Sequence, residues 1–109
     1  MSNNPPKEKS VAFELLVTAV SMTHITRLRI DIMGMLLSRS GFDMKAWKVM
    51  DNELTFGFSF LPDLEHNGVR AAALRSLHTK LSEHQNIDTF TIVSRATYKN
   101  QPQEEQEGR

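Results

Sequence analysis

Along residues 11–18 (VAFELLVT), Phe13, Leu15 and Val17 share one side of an extended chain and Ala12, Glu14, Leu16 and Thr18 share the other. That period of two is the pattern of a strand with one buried face. It is sharper along residues 53–61, where Leu54, Phe56, Phe58 and Phe60 alternate with Thr55, Gly57 and Ser59. Residues 87–95 repeat it, with Phe90 and Ile92 opposite Thr89, Thr91, Val93 and Arg95. Residues 42–50 also read as a strand. There, Trp47 and Val49 fall on one face and Met44 and Ala46 on the other, so the facing stays open.

Between these strands the apolar spacing lengthens to that of a helix. Residues 23–40 carry Ile25, Leu28, Ile32, Met35 and Leu36 as a core stripe, opened by Ser21 or Thr23 as an N-cap and closed by Gly41. Ile30, Met33 and Leu37 make a second stripe beside it. The apolar arc is then wider than a one-sided surface helix needs, and unpartnered apolar surface of that kind marks a partner site. Residues 67–84 turn Val69, Ala73, Leu77 and Leu81 inward and Arg70, Arg75, His78 and Lys80 outward, with Asn86 suited to a left-handed cap at the end. The order strand, helix, strand, strand, helix, strand is a doubled βαβ unit. It predicts an α+β, ferredoxin-like βαββαβ fold: a four-stranded antiparallel sheet in order 4-1-3-2 with two helices on one face.

Composition narrows the function classes. A chain of 109 residues fits a single domain. Residues 1–9 and 98–109 are polar, and are expected to be disordered tails around a domain spanning 10–97. Thirteen Lys plus Arg balance thirteen Asp plus Glu, which speaks against nucleic acid or an anionic membrane as partner, since both select a net basic surface. With no cysteine there is no disulfide framework and no thiolate nucleophile or ligand. No apolar run is long enough to span a bilayer and the first ten residues lack a signal-peptide core, so a cytoplasmic location with no membrane contact is expected.

Candidate chemistry is sparse. Phe56-Gly57-Phe58-Ser59-Phe60 has the look of the aromatic strand of RNA-recognition modules, which stack bases on an open sheet face. Placing these rings there would leave Thr55, Gly57 and Ser59 to build the core, so they read as core phenylalanines. His24, His66, His78 and His84 have no pair at helical ligand spacing, so metal is not expected and exposed histidines are. Ser21, Thr23, His24 and Arg27, with Arg29 and Asp31 nearby, gather where the first helix starts, and a helix N-terminus favours an anion. No glycine-rich phosphate loop, nucleophile elbow or acidic metal pair is present. Acylphosphatase, an enzyme on this plan, carries a phosphate loop with an arginine after its first strand, where this chain has Ala19-Val20-Ser21-Met22. No catalytic residue, cofactor or enzymatic activity is expected.

Leu36-Leu37-Ser38-Arg39-Ser40-Gly41-Phe42-Asp43-Met44 resembles the helix end, glycine turn and second-strand start of the ACT-like regulatory domains, including the small regulatory subunit of acetolactate synthase. Residues 77–93 resemble the second helix and last strand of that group. The group's ligand loop, an acidic residue or Asn before Pro-Gly, would fall at residues 19–23, where neither Pro nor Gly stands. The cytoplasmic ACT-like domain of magnesium-stress membrane proteins is similar in lacking that loop. The small ferredoxin-like chaperone of periplasmic nitrate reductase is a further likeness, and would imply a peptide on the sheet. The resemblance implies a non-catalytic regulatory or protein-interaction module that self-associates, as a homo-oligomer or with a protein partner, and the residues offer two surfaces for it: the stripe of Ile30, Met33 and Leu37, which is the better candidate, and the open sheet face with Leu16, Thr89, Thr91 and Val93. Its alternative is an amino-acid or anion sensor that takes a small-molecule effector at Ser21, Thr23, His24 and Arg27.

Overall fold

The computed structural model of the chain describes residues 9–62, 64 and 67–98. The elements are β1 (Lys9–Ala19), α1 (Ile25–Met35), β2 (Phe42–Met50), β3 (Glu53–Phe60), α2 (Asn67–Ser82) and β4 (Ile87–Tyr98), in the βαββαβ order of a ferredoxin-like fold. The sheet runs β2-β3-β1-β4 with every neighbouring pair antiparallel, which is the expected order. β1 and β4 reach slightly further than the sequence suggests, with Lys9 opposite Tyr98. The remaining parts of both expected tails lie outside the described residues.

One hydrophobic core joins the two layers. Phe13, Leu15 and Val17 of β1 and Leu54, Phe56 and Phe58 of β3 are buried against Leu28, Ile32 and Leu36 at α1 and Leu77 and Leu81 of α2. Four phenylalanines close one end of it. The ring of Phe58 stacks on Phe13 at 5.2 Å and meets Phe42 edge-on at 5.1 Å, while Phe60 meets Phe13 edge-on at 5.2 Å and stacks on Phe42 at 5.9 Å. Alternating stacked and edge-on contacts suit the ring quadrupoles.

The single helix expected over residues 23–40 is three pieces. A 3-10 turn at Met22–His24 precedes α1, and a second at Ser38–Ser40 follows it. Ser21 caps the first turn by accepting the Thr23 N–H at 3.0 Å, so α1 itself starts at Ile25, and His24 before it gives no side-chain cap. At the other end the Leu36 N–H is shared between the Ile32 and Met33 carbonyls, and Ser40 donates to Leu37; the helix tightens and stops. Gly41, at φ +96°, then turns the chain into β2.

β2 explains its own ambiguity. Met44 lies opposite Phe58 and Ala46 opposite Gly57, so Lys45 is an extra, bulged residue. The bulge resets the phase of the alternation: Phe42 and Met44 face the helices before it, Trp47 and Val49 after it. α2 ends at Ser82 rather than residue 84, because His84 donates its N–H to Leu81 and its carbonyl accepts from Ile87, closing a tight turn. Asp51 is the one described non-glycine residue with positive φ, so Asn86 is not a left-handed cap. Two residues of α2 depart from their expected facing. Val69 is 48% exposed because its first turn borders an open cleft with Gly41, Leu61 and Leu64. Arg70 is half-buried, its Nε donating to the Leu64 carbonyl and its guanidinium 5.0 Å from the Phe60 ring.

Candidate functional site

Four residues are expected to hold an effector at the start of α1: Ser21, Thr23, His24 and Arg27. Ser21 and Thr23 are exposed and bonded to each other, hydroxyl to hydroxyl at 3.0 Å. His24 is exposed with no side-chain cap bond. Arg27 lines a surface cleft of about 430 Å³ with Asp31, Glu83, His84, Gln85 and Asn86.

The fold makes a pair in this cleft that sequence reading did not find. His84 lies 53 positions from Asp31, and the turn after α2 carries its Nε2 to 3.0 Å from Asp31 Oδ2. Its Nδ1 accepts the Asn86 backbone N–H at 3.2 Å, which leaves the ring proton on Nε2 to be donated to Asp31. The other carboxylate oxygen takes Arg27 Nε at 3.2 Å, one helical turn back. The hydrogen bond from His84, and then the bond and charge of Arg27, hold the Asp31 carboxyl below its ordinary range. With its side chain 15% exposed, His84 is not the exposed histidine expected. Asp31 therefore ties α1 to the α2–β4 turn, and already occupies the cation that an anionic ligand would need.

His24 and His78 are exposed as expected, with the His78 ring edge-on to Phe90 at 5.1 Å, while His66 lies outside the described residues. Among the described residues no three His, Cys, Asp or Glu side chains converge as a metal site. No helix among the described residues is long and apolar enough to cross a membrane.

The second stripe of α1 is split. Ile30 and Leu37 are 53% and 44% exposed, whereas Met33 at its centre is half-buried against the core. What sequence reading left out is Trp47. It is 45% exposed on edge strand β2, and the Arg29 guanidinium lies 4.4 Å over its ring. Arg29 also contacts Met33 Sδ at 3.5 Å, so one arginine bridges α1 to the sheet edge. Arg29 and Met33, one turn apart, share the β2 side of α1, and Ile30 lies between that side and the flank that carries Asp31. Ile30 on α1, Leu37 just after it and Trp47 on β2 are thus exposed apolar side chains, and a preformed cation–π pair joins α1 to Trp47.

The other face of the sheet offers no stacking platform. Phe56 and Phe58 are buried, and the rows across the sheet there carry no aromatic ring, as in Lys48–Thr55–Leu16–Thr91 and Ala46–Gly57–Glu14–Val93. Leu16 is 40% exposed at its centre, and Glu14 faces Arg95 at 3.6 Å.

No protein-family model and no curated protein matches the sequence. Among solved structures, the chain is similar to the de novo designed protein Foldit4, at 12% identity over 83% of this chain and 97% of that one, with a TM-score of 0.52. It is also similar to a REP-associated tyrosine transposase bound to a REP hairpin, at 16% identity, 86% of this chain, 61% of that chain and a TM-score of 0.44. A third likeness is E. coli aspartokinase III in complex with lysine and aspartate, at 11% identity, 86% of this chain, 20% of that chain and a TM-score of 0.41. At these identities the likeness to Foldit4 concerns the fold alone.

Proposed function

We propose that the chain is a non-catalytic, regulatory or protein-interaction module of ACT-like type that self-associates through the outer side of α1 and the edge of β2. The observation that carries this reading is the exposure of Ile30 on α1, Leu37 just after it and Trp47 on the edge of β2, with the Arg29–Trp47 pair joining the two elements. Exposed large apolar groups on joined elements suit a partner surface. Trp, Met and Arg are the residue types enriched at interface centres, and a tryptophan held in place by an arginine loses little further freedom on docking. Sedimentation equilibrium tests it. The wild-type chain forms a concentration-dependent dimer and Ile30→Glu stays a folded monomer; a wild-type chain that remains monomeric at high concentration overturns self-association. Ile30 is the better site for that charge than Met33, because Met33 also packs on the core.

A second reading, an effector sensor at the start of α1, is supported by the cleft at Arg27, Asp31 and His84. There Arg27 could exchange Asp31 for the carboxylate of an amino acid, while Asp31 and Glu83 take its ammonium. A panel of amino acids, followed through the amide signals of Arg27 and Asn86, supports this reading if one ligand moves them saturably and removes it if none does.

A further inference from the structure

We infer that the cleft between the C-terminal turn of α1 and the middle of α2 is a binding site for a small phosphomonoester, with Arg39 and Lys80 on its phosphate. Two adjoining clefts of about 220 and 290 Å³ share Arg39, Ser40 and Ala73. The first adds Ser76 and Lys80 at its rim and Phe42 and Leu77 as its floor. Among the described residues, Arg27 and Arg95 are matched by carboxylates, and Arg29 and Arg70 by aromatic rings. Arg39 and Arg75 have neither kind of partner and Lys48 and Lys80 no ion pair, and of these four Arg39 and Lys80 line the clefts. No described acidic residue lines either cleft. Among the described residues the two clefts are thus lined by two cationic residues and no anionic one.

The chemistry of the lining selects the ligand. A carboxylate carries one charge and is satisfied by one guanidinium fork; an arginine, a lysine and two serine hydroxyls exceed it. A phosphomonoester dianion uses both charges and offers oxygens enough for the hydroxyls of Ser40 and Ser76, which have no partner among the described residues. The floor of Phe42, Ala73 and Leu77 calls for an apolar body on the ester, so free phosphate uses only part of the site. This site lies at the opposite end of α1 from the Arg27 cleft and does not depend on Trp47.

Amide spectra of the full chain, titrated with phenyl phosphate, inorganic phosphate and benzoate, test the assignment. Phenyl phosphate moves the signals of Ser40, Gly41 and Ser76 saturably, and binds more tightly than either of the others. Arg39→Gln and Lys80→Gln each weaken it by about tenfold or more, the loss of one charge-assisted bond, with the remaining spectrum unchanged. Should Arg39→Gln disturb the turn before Gly41, Lys80→Gln and Ser76→Ala, on exposed positions of α2, carry the same test. The assignment is overturned if no probe saturates those signals, if benzoate or free phosphate binds as tightly as phenyl phosphate, or if the variants bind like the wild type.

Discussion

Phe58 and Asp31 show how much a single side chain can hold in this fold. Phe58 is 1% exposed and touches two other rings, so Phe58→Ala should cost about 3–5 kcal/mol in denaturant unfolding, through lost transfer energy and the cavity left behind. The same substitution in a base-stacking residue would leave stability nearly intact. Asp31 acts through charge. Its carboxyl titrates lower in the folded chain than in the unfolded one, chiefly because His84 donates to it and then because Arg27 pairs with it. A group of that sign stabilises the fold fully above its unfolded range, and loses the contribution as pH falls through the folded value. Asp31→Asn should therefore lower the melting temperature near neutrality and flatten its decline through the acid range. A parallel decline in both proteins would show that Asp31 contributes nothing.

At the scale of elements, the backbone turns decide what the sequence pattern could and could not show. β1 and β3 were legible because a strand buried on one face must alternate, and nothing interrupts Phe13-Leu15-Val17 or Leu54-Phe56-Phe58. β2 was not, because the bulge at Lys45 shifts the phase in mid-strand and no residue type announces it. Deleting Lys45 should remove the irregularity and leave Phe42, Met44, Trp47 and Val49 alternating without a break. The deletion variant is expected to stay folded with β2 still paired to β3, as amide hydrogen exchange would report. Loss of protection in β2 would mean that the bulge is required by the fold. The break after α1 was hidden for a similar reason: Leu36, Leu37 and Gly41 fit a longer helix as well as a 3-10 turn. Gly41 holds a left-handed conformation, and a Cβ there would come within 3.0 Å of Leu64 Cδ2. Gly41→Ala should destabilise by about 1–2 kcal/mol from backbone strain, before any movement of Leu64 is counted. A melting temperature equal to wild type would contradict the strained turn.

For the whole molecule, the order of elements fixes which surfaces can serve a partner. With β1 and β3 central, both helices cover the phenylalanine side, and β2 is left at an edge where α1 only partly shields it. The candidate sites were less legible than the fold. Stripe residues Ile30 and Leu37 are visible from helical spacing, but Trp47 meets Arg29 of α1 only through the crossover that carries β2 past β3, and His84 meets Asp31 only because the turn after α2 comes back to α1. Contacts made by tertiary return leave no local trace. Trp47 is also the chain's one tryptophan, so its emission reports the edge of β2 alone. A dilution series followed by Trp47 fluorescence is the most direct test of self-association through α1 and β2. Emission should shift to shorter wavelength as concentration rises and the ring leaves water, and Ile30→Glu should abolish the shift. Emission that stays at one wavelength across the series, or a shift that persists in Ile30→Glu, would contradict an interface at this face.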